Sequence, residues 1–524
     1  MYFKYAARSL AFLLSAAVFS VAQATSQSLF PENGASDAAS EAQLVITFDS
    51  SPALNPQGVL VIYNSDGSVA DTIKFADEAQ IFFDGTSVNV GSQLVRAEGN
   101  SVFVTAHNGA IKPDSSYYVV IESGAISCGD FAGFAEGEWS FKTKARKSGF
   151  SDGATISVNN STEKSNSADF HSIQAALEAV KDSSGTYTIS VAPGTYYELL
   201  HYKGKANIIL QGPAGNNRGD NAVVEYINCN DLNAPQTARV SFYFTGANLI
   251  LENLTFVNLT DSEKVYSSAI KVPSGNAQAE TLFFHNGKGK TVTAYNCSFK
   301  SRQDTLQLSG KCWFYNCYVE GDVDYVWGFV DTALFEECDF NCVRRVKDRA
   351  YLFECRVGTK ENSLVPKGFV LYNSRVNVEA GQTAYYGRRA TAIEKAKIPY
   401  YDQCAIVNVA FQGEGNFGEA RWYVGKEPQF IDDCANVGWK EYNVTFDDLK
   451  GKKPADTSKR YKNSGDITKK LYKAEYSTRE LIMNRVYNVS KKSYVADSEY
   501  YWDLNQVARD RGYDVKDLPK AKKK

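Results

Sequence analysis

A chain of 524 residues with 44% hydrophobic and 13% aromatic content carries enough apolar surface for a large core and one or two smaller units, which excludes disorder as a whole. The formal net charge of −3 leaves no global basic field, so binding to a polyanion such as nucleic acid would need a local patch. The ten cysteines include no CxxC pair and no histidine at zinc-ligand spacing, so no metal cluster is expected.

The first residues place Lys4 and Arg8 ahead of an apolar stretch from Leu10 to Val21 and the small-x-small site Ala22-Gln23-Ala24. This pattern predicts a signal peptide over 1–24, cleaved on export to the periplasm or the exterior. The stretch is too short for a comfortable membrane span, and no later segment is long and apolar enough, so no membrane span is expected after cleavage.

Residues 25–40 read as a polar spacer. From Ala42 onward LVITF, GVLVIYN, SVFVTAH, SYYVVIESG and EWSFKTK are short β-type runs separated by turn residues, which predicts a β-sandwich over 41–146 that resembles an immunoglobulin-like module. Residues 147–168 are polar and read as a linker. DFHSIQAALEAV then has the apolar spacing of a short amphipathic helix, suited to capping a stack of β-coils, and TYTISVAPGTYYELL reads as strand, turn and strand.

An internal repeat follows. ENLTF, YNCSF, YNCYV, EECDF, FECRV and YNSRV end on Phe256, Phe299, Val319, Phe340, Val357 and Val376, at separations of 43, 20, 21, 17 and 19 residues. The expected period is about 20, with the step of 43 taken as two turns, and a repeat of this kind predicts a mainly β chain forming a right-handed parallel β-helix over 169–445. Cys297, Cys317, Cys338 and Cys355 are expected to form an interior column of thiols rather than disulfides, beside a partial ladder of Asn253, Asn296, Asn316 and Asn373.

The repeat also places two acids. Asp304 and Asp324 each lie five residues after an equivalent repeat position, on consecutive coils. Adjacent parallel strands are about 4.8 Å apart, so the carboxylates are expected to stack. Two like charges this close split their pKa values into an acid and a base or nucleophile. Stacked carboxylates also suit a bound calcium ion. The neighbours Gln303, Tyr325 and Trp327 favour a neutral carbonyl and a sugar ring over a metal.

These residues fall in motifs that resemble the pectin methylesterase (pectinesterase) family. The motifs are Gly194-Thr195-Tyr196-Tyr197-Glu198, Gln278-Ala279, Gln303-Asp304-Thr305-Leu306, Gly321 to Gly328, and Tyr386-Gly387-Arg388, in family order between about Asp169 and Val409. The resemblance implies a cofactor-free hydrolase acting on methyl-esterified homogalacturonan. It implies that Asp324 is the nucleophile, Asp304 the general acid and base, Gln278 and Gln303 the oxyanion donors, and Arg388 the residue that orients Asp324. Tyr325 and Trp327 would line the cleft. Ala390 stands where the family has a tryptophan, and Arg389 beside it would favour anionic, de-esterified neighbours. Counted by the repeat, Arg388 lies three rungs from Asp324, roughly 14 Å away, so it is expected to reach back from a loop.

Residues 446–524 are charged, with YSTRELIMNRVYN a candidate helix, and carry no expected chemistry. The chain is expected to work as a monomer, with pectin and not nucleic acid as its partner. Two alternatives stay open: another pectin-active β-helix enzyme, such as a polygalacturonase or a calcium-dependent lyase, and a catalytically inactive β-helix adhesin or binding protein.

Overall fold

A computed structural model describes residues 27–519, apart from 84–85, 164–165, 216, 261–277, 288, 345–348, 359–363, 390–399, 424–435 and 462–463. The expected signal peptide lies outside the described residues, as does Ala390. No helix among the described residues is long and apolar enough to cross a membrane.

From Thr155 to Asp466 the chain winds into stacked coils. One composite sheet of 17 strands and one sheet of nine form the walls, and every pairing within them is parallel. Successive side chains alternate between the two faces of each strand, so one inward position repeats from coil to coil. Across the nine-stranded sheet that position is filled by Tyr196, Val224, Phe256, Phe299, Val319, Phe340, Val376 and Phe411. All eight are buried in one continuous core, and the rings of Phe256 and Phe299 stack at 5.6 Å. This is the parallel β-helix that the repeat predicts.

The register corrects the repeat in two places. Phe256 pairs directly with Phe299, so the step of 43 residues is one coil carrying a long excursion, not two coils. Phe340 pairs directly with Val376, which removes FECRV from the series. That segment belongs to the strand Arg349–Cys355 of the other wall. Cys297, Cys317 and Cys338 are buried free thiols in one column, but the next member is Ser374 and not Cys355, because Asp339 pairs with Arg375. The false match arose because a Cys-x-Val triplet satisfies the pattern on either wall.

The asparagine ladder is longer than predicted. Asn253, Asn296, Asn316, Asn373, Asn408 and Asn443 all have φ between 49° and 55° at the bend between walls, and amide bonds of 2.7 to 3.1 Å join neighbours within the runs 253–316 and 373–443. Asparagine tolerates this left-handed backbone at lower cost than most residues. Glu337 (φ 54°) occupies the missing rung.

The helix Ile173–Val180 closes the first coils, as its apolar spacing predicts, with five residues in the core. Its free N–H groups are satisfied by Glu198, whose carboxylate accepts from Ile173 N at 3.0 Å and Gln174 N at 2.9 Å. The acid of the Gly-Thr-Tyr-Tyr-Glu motif is thus an anchor for the cap.

Ahead of the coils lies a two-sheet unit that begins earlier than expected. Gln27–Phe30 pairs with Leu44–Phe48, and Ala35–Ala38 with Ser140–Thr143, so the predicted spacer forms two of its strands. Likewise Thr155–Val158, expected in the linker, is the first strand of the coils. The apolar core of this unit continues into Leu199, Tyr226 and Ala238 of the coils, and Arg96 stacks over Tyr197 at 4.6 Å.

After Asp466 the chain folds back over the composite sheet. Ile467, Tyr476, Ile482, Met483, Trp502 and Leu504 cover Trp313, Leu334, Val370 and Val407. The candidate helix is shorter than predicted, Arg479–Asn484, and its last residues turn into the strand Arg485–Asn488, which pairs with Ser493–Ala496. The valine and tyrosine of that segment favour the strand.

Candidate active site

Asp304 and Asp324 stand in the bends just before the long strands Leu306–Tyr315 and Val326–Glu336. Leu306 pairs with Val326, and carried back two residues this register sets the two acids on adjacent coils. Asp304 N donates to Val323 O at 3.1 Å, and Leu306 N to Tyr325 O at 2.9 Å. Both acids have positive φ, 66° and 50°, which turns their side chains out of the strand alternation. Gly328 closes the second motif with φ +133°, and a Cβ there would meet Leu308 O at 2.1 Å, so the two coils approach this closely only over glycine.

The acids are almost fully buried, at 3% and 4% exposure. Arg388 grips Asp324 with two bonds, Nε to Oδ1 at 2.7 Å and Nη2 to Oδ2. Its reach follows from the corrected coil count. Trp327, Glu354 and Arg388 lie side by side on successive strands, so Arg388 is two rungs from the Asp324 coil, about 10 Å, within the span of an arginine. It projects from the strand Thr383–Arg389 rather than from a loop.

Gln278 and Gln303 form a parallel bridge beside the acids. Burial, followed by the charges of Glu280 and Asp324, pushes the Asp304 carboxyl well above the usual carboxylate range, against the pull of Arg239. The raised carboxyl of Asp304 thus stands beside the carboxylate that Arg388 grips.

Two of the predicted site residues offer no open surface to the cleft, Tyr325 because it points inward and Trp327 because it is covered on the face it shares with Glu354 and Arg388. Tyr325 is fully buried inside the coil, its hydroxyl 3.3 Å from Cys342 Sγ, and packs in the interior core together with the next residue, Val326. Trp327 is 2% exposed and its ring is covered by the Arg356 guanidinium at 4.7 Å, so it offers no open platform. Arg389 pairs with Cys355 in the wall, and its side chain lies outside the described residues. Near Arg388 an aromatic cluster of Tyr351, Tyr385 and Tyr423, with ring centroids 4.9 to 5.9 Å apart, stands on the cleft side.

Four charged residues escaped the sequence reading. Glu354 and Arg356, bonded at 2.9 Å, come from the segment mistaken for a repeat, and burial, then Asp324, raises the Glu354 carboxyl. Arg239 and Glu280 form a buried pair against Asp304. Glu280, two residues after Gln278, could have been found by projecting the Gln303–Thr305 spacing back one coil. Arg239 leaves no such signal.

Stacked acids, paired amides and an arginine on Asp324 form one constellation. Residues 159–393 match the pectinesterase family. That span contains Gln278, Gln303, Asp304, Asp324 and Arg388 and stops short of both the two-sheet unit and the C-terminal cover. Among curated pectinesterases, the match to Pectinesterase 31 of Arabidopsis thaliana is 27% identical over 48% of this chain and 75% of that protein. The Daucus carota pectinesterase is 24% identical over 56% of this chain and 89% of its own. Probable pectinesterase A of Aspergillus fumigatus reaches 32% over 33% of this chain and 49% of its own length. Among solved structures, carrot pectin methylesterase aligns with TM-score 0.47 at 19% identity over 64% of this chain and 94% of that one, and PemA of Erwinia chrysanthemi aligns with 0.47 at 19% over 64% and 98%.

Proposed function

We propose that this protein is an exported pectin methylesterase, which hydrolyses methyl esters of galacturonate units to release methanol. The observation that carries the reading is the buried stack of Asp304 on Asp324, with Arg388 gripping Asp324 through both carboxylate oxygens.

In this reading the Asp324 carboxylate attacks the ester carbonyl, and the Gln278 and Gln303 amides donate to the oxyanion of the tetrahedral intermediate. Collapse breaks the bond to the methoxy oxygen, which takes the Asp304 proton and leaves as methanol. An anhydride between Asp324 and the galacturonyl group remains. The Asp304 carboxylate then takes a proton from water as the water attacks the galacturonyl carbonyl, which frees the product acid and restores Asp324 as the anion and Asp304 as the acid. Arg388 holds Asp324 in the geometry of attack. The cluster of Tyr351, Tyr385 and Tyr423 beside Arg388 supplies apolar faces for sugar rings.

The test is methanol release from highly methylated pectin, with EDTA present, by the mature protein and by Asp324→Asn. Release by the first and not the second supports the mechanism. A wild type that releases none but cleaves polygalacturonate would sink the esterase reading while leaving the fold intact, and pectin binding without either activity would favour the binding-protein alternative. Export is tested by the N-terminal sequence of the mature chain, expected to begin at Thr25.

A further inference from the structure

Arg239 has no step in the reaction above, yet it touches more of the site than any other cation. It ends the short helix Gln236–Arg239, lies 65 residues before Asp304 and is 3% exposed. Glu280 clamps it, with Nε 3.0 and 2.9 Å from the two carboxylate oxygens. Two contacts then leave the clamp toward the site. Nη1 donates to Gln278 Oε1 at 2.6 Å, and Nη2 lies 3.4 Å from Asp304 Oδ2.

The chemistry of the guanidinium settles which way Gln278 faces. Arginine has donors only, so the end of the amide against it has to be the carbonyl oxygen. The NH2 end is left for the cleft, and a forming oxyanion needs a donor. The backbone around Gln278 is pinned as well: its carbonyl accepts from Asn230 N at 2.9 Å, and Ala279 N donates to Gln303 O at 3.1 Å. Reversing the amide would place NH2 against a guanidinium inside a buried cluster, where an unmade bond costs the full desolvation of both groups.

We propose that Arg239, clamped by Glu280, is a positioning residue that holds the Gln278 amide with its nitrogen toward the ester carbonyl while standing against the proton donor Asp304. The inference rests on the esterase reading and names the device that orients one of its two oxyanion donors. Arg239 acts through the side chains it holds, Gln278 at 2.6 Å and Asp304 at 3.4 Å, and has no proton or bond of its own to give in the reaction.

The test is a cycle of full-length variants assayed by methanol release from methylated pectin: wild type, Gln278→Ala, the pair Arg239→Leu with Glu280→Leu, and all three changes together. A buried ion pair replaced as a unit by apolar residues is often tolerated, so the pair variant is expected to fold. Losing one oxyanion donor costs about 10²–10³ in kcat, and an unheld amide should lose about 10- to 100-fold with KM within about threefold of wild type. The combined variant should then lose little beyond Gln278→Ala alone, because the arginine acts through that amide. If the pair variant fails to fold, Arg239→Lys replaces it, since an ammonium keeps the charge and cannot span Glu280 and Gln278 together. Wild-type kcat in the pair or lysine variant, or losses that multiply with Gln278→Ala, overturn the inference and leave the esterase intact. A wild type that releases no methanol overturns both.

Discussion

Buried ion pairs occur in two regions of this molecule, the cleft and the C-terminal cover, and they are built on different ratios. Under the cover each of these carboxylates has at least one cation: Glu336 with Arg479 at 2.8 Å, Glu252 with Arg511 at 2.7 Å, Asp497 with Lys311 at 3.0 Å, and Glu475 with both Arg485 at 2.8 Å and Lys367 at 3.8 Å. At the cleft, among the described residues, the four carboxylates Glu280, Asp304, Asp324 and Glu354 share three guanidinium groups, those of Arg239, Arg388 and Arg356. Cations that match or outnumber the carboxylates hold two surfaces together, and a strongly perturbed charged group there is a cation, Lys367, which burial lowers to about 7. A surplus carboxylate in a buried cluster is cheapest when neutral, and Asp304, with one long contact to a cation that Glu280 already clamps, is the member placed to take that proton. The difference is the one expected between a structural cluster and, under the proposed function, one arranged for acid and base work.

Breaking the cleft should cost activity. Asp324→Asn is expected to lower kcat for methanol release by about 10⁴-fold or more, the scale seen when a covalent nucleophile is removed, with an unfolding midpoint close to wild type. A residual rate within tenfold of wild type would remove Asp324 from the chemistry.

Breaking the cover should cost stability. Arg479→Met strands Glu336 in a buried site and is expected to lose about 3–5 kcal/mol in denaturant unfolding, with kcat per folded molecule unchanged. Adding Glu336→Leu should recover most of that loss. If the recovery is absent, the bonds from Arg479 to Asn505 Oδ1 and Lys516 O carry the region instead.

The surplus charge makes a prediction with a definite sign. A carboxyl raised on folding stabilises the folded state fully below its unfolded pKa, and that contribution is lost as pH rises through the folded value. Asp304→Asn removes the titration, so the variant should gain on the wild type as pH rises from about 4 upward, by at most about 1.4 kcal/mol per pH unit. Paired unfolding curves at several pH values measure this, and a constant difference would mean that Asp304 is not the proton holder.

The smallest effect belongs to neither cluster. Glu337 interrupts the asparagine ladder in the same left-handed backbone as its neighbours, and its partner Lys516 is exposed. Glu337→Asn should rejoin the two runs and raise stability by about 0.5–1 kcal/mol, the net worth of one hydrogen bond set against a weak surface pair.

Much of this was legible before any coordinates. Inward positions on a coil repeat with apolar and β-branched side chains, so Phe256, Phe299, Val319, Phe340 and Val376 declare a solenoid. Equal offsets from Phe299 and Val319 likewise place Asp304 over Asp324. What misled was coil length: a coil may carry an excursion of any size at a corner, so steps of 43 and 36 residues break a period that the register keeps. That one error misplaced Cys355, added a rung between Asp324 and Arg388, and hid Glu354. The direction of Tyr325 was not available from alternation, because Asp324 before it takes a left-handed backbone and both Tyr325 and Val326 turn into the core. Arg239 was not legible, since it comes from a corner with no repeat and acquires meaning only beside Glu280. The cover was equally opaque, because charges such as Arg479 and Lys311 look solvated until two surfaces close on them.

The contact between the two-sheet unit and the coils bears on how this protein can be cut. A fragment begun at residue 159, where the family match starts, would lose the apolar partners of Leu199, Tyr226 and Ala238 and bare a greasy patch at the edge of the barrel-like stack. Ala238 is the neighbour of Arg239 in the same short helix. Trimming at the boundary drawn by kinship would therefore loosen the segment that reaches Gln278 and Asp304, so the amino-terminal unit is better regarded as a buttress of the cleft than as a detachable appendage.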